Sequence, residues 1–68
     1  MRRRHREIVQ GQRFNKVGPG GGLWEVVAIK TDAAGATHAI MVSVTEPKTF
    51  RTFSNEILID PRSFQLVE

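Results

Sequence analysis

Four arginines crowd the first six positions: Arg2, Arg3, Arg4 and Arg6. Guanidinium groups pair with phosphate oxygens through bidentate, charge-assisted hydrogen bonds, and a run of them on a flexible arm can follow a nucleic-acid backbone. Arg13 and Lys16 come next and extend this cationic footprint onto the body of the chain. Trp24, Arg51 and Phe53 form a second grouping, two rings and a cation. Standing together at the surface, they would offer bases a stacking platform that tolerates any sequence.

Other chemistries are poorly served. The two histidines are His5, in the basic segment, and His38, in a run shared with Ile40, Val42 and Val44. A nucleophile needs a base within hydrogen-bond reach and an acid to orient that base. Ser43, Ser54 and Ser63 sit in no motif of this kind. Cysteine is absent, so there is no disulfide framework, thiol nucleophile or thiolate zinc ligand, and two distant histidines do not make a metal site. The expectation is a non-enzymatic protein without cofactor or metal. Gly18-Pro19-Gly20-Gly21-Gly22 lacks the Lys-Ser/Thr pair and the following helix of a phosphate-binding P-loop. It reads as a flexible connection, with a lip that orders over a ligand as the alternative.

Sixty-eight residues allow one small domain. At this size a chain buries only about 60% of the surface its unfolded form exposes, which leaves little room for a deep pocket. With 40% hydrophobic and 25% charged residues the composition is that of a globular protein. The formal charge of +3 is unevenly placed. Residues 1–16 carry Arg2, Arg3, Arg4, Arg6, Arg13 and Lys16 against Glu7, a net +5. Residues 17–68 carry Lys30, Lys48, Arg51 and Arg62 against Glu25, Asp32, Glu46, Glu56, Asp60 and Glu68, a net −2. The basicity belongs to the leading segment, not to the body.

The apolar stretches Leu23–Ile29 and Ala39–Val44 fall far short of the roughly 20 residues of a membrane helix. Met1–Arg6 resembles the start of an export signal, but Gln10, Gln12, Arg13, Asn15 and Lys16 follow where an apolar segment would be needed. A cytoplasmic, bacterial protein with no membrane contact is expected.

The elements that must position these residues are short strands. Gln12–Val17 alternates around Phe14. Leu23–Thr31 is rich in β-branched and aromatic residues, with Leu23, Val27 and Ile29 on one face and Trp24, Val26 and Ala28 on the other. Asp32-Ala33-Ala34-Gly35 has the residues of a hairpin turn, Asp at the first position and Gly where the chain goes left-handed. Thr37–Thr45 returns, with His38, Ile40, Val42 and Val44 opposite Ala39, Met41, Ser43 and Thr45. Glu46-Pro47-Lys48 turns the chain into Thr49–Ser54, in which Phe50 and Thr52 oppose Arg51 and Phe53. Asn55–Ile59 is an irregular or one-turn segment expected to drop Ile57 and Leu58 into the core. Asp60–Ser63 is a turn or single 3₁₀ turn before a last strand, Phe64–Val67.

Five short strands and a tight turn before the last describe an all-β, strongly bent barrel. The order resembles the SH3-like superfold, and within it the small bacterial SH3-like domains of uncharacterised function. Gly11-Gln12-Arg13-Phe14, Trp24-Glu25-Val26-Val27, His38-Ala39 and Leu58-Ile59-Asp60-Pro61-Arg62-Ser63-Phe64 carry the resemblance. It covers residues 11–68 and leaves residues 1–10 as a disordered basic arm. Such superfolds host many functions, so the resemblance implies a shape and no activity. The five aromatics, Phe14, Trp24, Phe50, Phe53 and Phe64, are too few to fill a core and also line a proline-peptide groove or a methyl-lysine cage. Two partner readings remain open. One is nucleic acid, RNA foremost, held by Arg2, Arg3, Arg4, Arg6, Arg13 and Lys16, with Trp24, Arg51 and Phe53 as an added surface. The other is a protein partner, met through an apolar patch or an open strand edge. The chain itself is expected as a monomer or weak homodimer.

Overall fold

The computed structural model describes residues 7–67. Its elements are β1 (Arg13–Lys16), β2 (Gly22–Thr31), β3 (Thr37–Ser43), β4 (Phe50–Ser54), a one-turn helix α1 (Asn55–Leu58) and β5 (Phe64–Val67). The strands form one five-stranded antiparallel sheet in the order β4-β3-β2-β1-β5. Each expected strand is present. β3 stops at Ser43, short of Thr45, because the chain turns there: the Ser43 hydroxyl accepts the Glu46 N–H (3.1 Å), and the Ser43 N–H reaches the Thr49 carbonyl (3.0 Å).

The β2–β3 hairpin closes as its residues dictate. One oxygen of Asp32 accepts the N–H groups of Ala34 and Ala36, both at 2.9 Å, and Gly35 takes φ +88. Along β2, however, strict alternation fails. Val26 pairs with Met41 and Ala28 with Ile40, so Val27 is an extra, bulged residue. The bulge corrects the expected faces. Ala28 leaves the face of Trp24 and Val26, and Ile29 takes its place opposite the buried Ala39. The two apolar faces read along this strand are thus one inner face interrupted by a bulge.

The inner face builds the core from Phe14, Val26, Ala39, Met41 and Phe64, joined by Ile8 and Leu58. Ile8 lies within the segment read as an arm, yet only 7% of its surface is exposed. Phe53 on β4 and Phe64 on β5 belong to opposite edges of the sheet, four strand spacings of about 4.8 Å apart, or roughly 19 Å if the sheet were flat. Their ring centroids are 4.9 Å apart. The sheet therefore coils strongly enough for side chains of its two edge strands to meet across the core.

The link between those edges begins at Ser54, whose hydroxyl caps α1 by accepting the Ile57 N–H at 3.3 Å. The expectation that Ile57 and Leu58 both enter the core is corrected: Leu58 is 1% exposed and Ile57 44%. Neighbours on a helical turn point about 100° apart, so one small core cannot take both. The chain then makes a turn in which the Asp60 carbonyl accepts the N–H groups of Ser63 (2.9 Å) and Phe64 (3.0 Å). The Asp60 carboxylate meanwhile receives the Arg62 backbone N–H (2.9 Å) and its guanidinium (3.2 Å).

Two outcomes follow for stability. Leu58→Ala should lower the unfolding free energy by about 2–5 kcal/mol and Ile57→Ala by less than about 1 kcal/mol, read from urea titrations. Equal losses would contradict the packing described. Hydrogen bonds from the Arg62 guanidinium, then from its backbone N–H, hold the Asp60 carboxyl below its ordinary value of 3.8. A carboxyl depressed in the folded state stabilises above its unfolded value, and that contribution is lost as pH falls through the folded one. The melting-temperature advantage of the native chain over Asp60→Asn should accordingly be present at pH 7 and shrink progressively as pH falls below about 4.

Candidate functional site

β1 is only four residues long, and its alternation decides where its two cations go. Phe14 is fully buried, so Lys16 lies on the inner face with it while Arg13 and Asn15 face outward. Arg13 sits directly across from Glu25, and its Nε donates to Glu25 Oε1 at 3.0 Å. The two cations read together from sequence are thereby divided between opposite faces. Arg13 is neutralised by its neighbour.

Lys16, by contrast, lines a cavity of about 280 Å³ together with Gly20, Trp24, Arg51 and Phe53. Trp24 stands opposite Phe14 on one side and Ser43 on the other, half-buried at the margin of the core. Coiling of the sheet brings Phe53 to it, with ring centroids 5.9 Å apart and planes at 81°. Arg51, two residues before Phe53, shares its face and is exposed. Behind these rings the aromatic run continues from Phe53 to Phe64 and from Phe64 to Phe14 (6.2 Å, 86°). Trp24 and Phe53 are therefore held from behind by buried rings while their outer surfaces border the cavity.

Gly20 comes from the β1–β2 connection, the segment expected to be flexible, which here forms a hydrogen-bonded turn. Gly21 N–H donates to the Gly18 carbonyl at 3.0 Å, Pro19 occupies the second position, and Gly20 takes φ +73, the pattern of a type II turn. A Cβ added to Gly21 would collide with the Lys16 carbonyl, so the turn is pressed directly onto the end of β1.

The lining is cationic and aromatic, with no carboxylate or imidazole among the cavity residues. The ion pairs among the described residues are Arg13–Glu25 and Arg62–Asp60, which leaves Lys16 and Arg51 to offer their donors outward. Such an arrangement can hold an anion beside a flat apolar group.

A second depression, about 330 Å³, lies on the other face and is lined by Lys30, Thr31, Asp32, His38, Ile40 and Thr52. Its charges are mixed, and one Asp32 oxygen already serves the hairpin turn. His38 faces Lys30 and Ser54 across the strands, and Ser54 has its hydroxyl oxygen engaged as the α1 cap. No group of three or more metal-ligating side chains occurs among the described residues, and no helix among them is long and apolar enough to cross a membrane.

Of the residues read from sequence, Trp24, Arg51 and Phe53 are brought together, Lys16 joins them, and Arg13 does not. Arg2, Arg3, Arg4 and Arg6, with the disorder expected of the arm, lie outside the described residues. Gly20 is a wall that composition alone did not reveal, although Gly18-Pro19-Gly20-Gly21 carries the turn signature. Phe50, 56% exposed on the outer face, takes no part in the aromatic run. No protein-family model matches the chain, and neither does any curated protein or solved structure. Its chemistry must be read from the site.

Gly21→Ala should destabilise the fold by about 1–3 kcal/mol and shift the Trp24 emission maximum, because the backbone under Lys16 has to move. Gly22→Ala, where an added Cβ meets open space, should leave emission unchanged. Matching spectra for the two variants would show that the turn does not support the cavity.

Proposed function

We propose that this chain is a small SH3-like β-barrel of the cytoplasm, non-catalytic, that contacts nucleic acid, with RNA as the favoured partner. The strand order, the one-turn helix before β5 and the meeting of the edge aromatics across the core support the barrel. One observation carries the nucleic-acid reading. Lys16 and Arg51, which pair with no carboxylate among the described residues, border the same cavity as the half-buried rings of Trp24 and Phe53. Nucleic acid presents phosphates and flat bases together, and single strands are bound elsewhere by this combination of positive groove and aromatic platform. The arginines at positions 2, 3, 4 and 6 add charge that is indifferent to sequence.

The salt dependence of binding to a single-stranded oligonucleotide tests this reading. Neutralising about six phosphates with Arg2, Arg3, Arg4, Arg6, Lys16 and Arg51 gives a slope of log K against log salt of roughly −4. With the four leading arginines replaced by alanine the slope should fall to about −1.4, and Arg51→Ala alone should lower it by about 0.7. Absence of binding by the full chain at low salt would refute the proposal.

A second reading has its own observation. Phe50 is the most exposed of the aromatics and lies on β4, whose outer edge pairs with no strand among the described residues. Open edges invite pairing with another chain. If protein contact is the function, self-association in sedimentation runs should rise with concentration and be abolished by Phe50→Lys.

A further inference from the structure

The geometry points to a site for one unstacked base and its phosphate, so that the protein selects single strands over duplex. This inference rests on the nucleic-acid reading above and narrows it to a strand state and a stoichiometry.

The planes of Trp24 and Phe53 are 81° apart with centroids at 5.9 Å. Two rings at that angle cannot sandwich a base. A base lying flat on one ring meets the other edge-on, as a wall. A second base has no ring left to occupy. Phe14 and Phe64, the remaining members of the aromatic run, are 0% and 2% exposed, and Phe50 is on the opposite face of the sheet. The volume, about 280 Å³, lies just below the range of small-ligand sites, about 300–1,000 Å³.

Strand state follows from the same rings. Inside a duplex both faces of a base are covered by its neighbours, and recognition of bases by aromatic stacking is accordingly confined to unpaired segments. Lys16 on β1 and Arg51 on the edge strand β4, separated in the strand order by β3 and β2, both reach the cavity, and Gly20 contributes a wall with no side chain, where a sugar can come close to backbone. The base supplies the contact that distinguishes partners, and the phosphate supplies the charge.

Trp24 is the only tryptophan, so its fluorescence reports this site alone. The full chain is titrated at one salt concentration with four probes of equal length. These are a single-stranded oligonucleotide, its blunt duplex, a base-free sugar–phosphate strand, and that base-free strand carrying one central base. The single strand should quench Trp24 and bind about tenfold more tightly than the duplex, with the one-base strand recovering most of the quench and the base-free strand none. Arg51→Ala should weaken the one-base strand about as much as the full single strand. Equal binding of single strand and duplex with Trp24 emission unchanged would overturn the inference and leave the broader reading to charge alone. A quench that needs two or more bases would overturn the one-base stoichiometry. Binding of none of the four would overturn both the inference and the reading beneath it.

Discussion

Phe53 against Phe64 is the contact on which the rest of the molecule depends. The hydrogen-bond order of the sheet places these rings at opposite edges, and only a tightly coiled sheet lets them touch. In a chain of this size that coil is what creates an inside. It encloses Met41 and Val26, gives Leu58 a place to insert from the linking turn, and presses Phe64 onto Phe14. The same Phe53 forms part of the cavity wall on its other side. Core and site thus share a residue, and Phe53 cannot be altered for one without disturbing the other. Arg51, exposed on the same strand, is the position at which the two roles separate.

Charge is organised by strand parity and not by composition. Three positions separate Arg13 from Lys16, an odd number, so they emerge on opposite faces. Glu25 neutralises the outward one, and the inward one is carried to the cavity rim. Residues 7–67, whose cations and carboxylates balance, thereby present a small positive site. Local field, not net charge, is what a phosphate group meets on approach.

Much of this organisation was legible in the residues. The strands declared themselves by β-branched content, and Asp32 and Gly35 by turn chemistry. The grouping of Trp24, Arg51 and Phe53 followed from aromatic and basic character together. Other features were hidden for physical reasons. Val26 and Val27 are the same residue type, so alternation carries no phase across the bulge. Ile57 and Leu58 are equally apolar, and only helical geometry chooses between them. Ile8 is a large apolar residue in a polar, cationic stretch, and nothing local says that it folds back. Lys16 meeting Arg51 is a product of the coil, which no window of sequence contains. The composition of the glycine run suggests freedom, and the turn it forms is legible only in the placement of Pro19 before Gly20, which takes a positive φ.

The bulge at Val27 also determines which pairings the hairpin can tolerate. A regular hairpin can slip along itself by two residues and still keep its apolar side inward. Here the phase of β2 changes partway along, so inner-face residues are spaced by two before Val27 and by three across it. Sliding β3 by two in either direction would align one half of the strand and bring the bulge opposite a regular stretch in the other. The extra residue therefore acts as a notch on a ruler, admitting a single alignment of the longest pair of strands. Every strand laid beside them inherits that alignment.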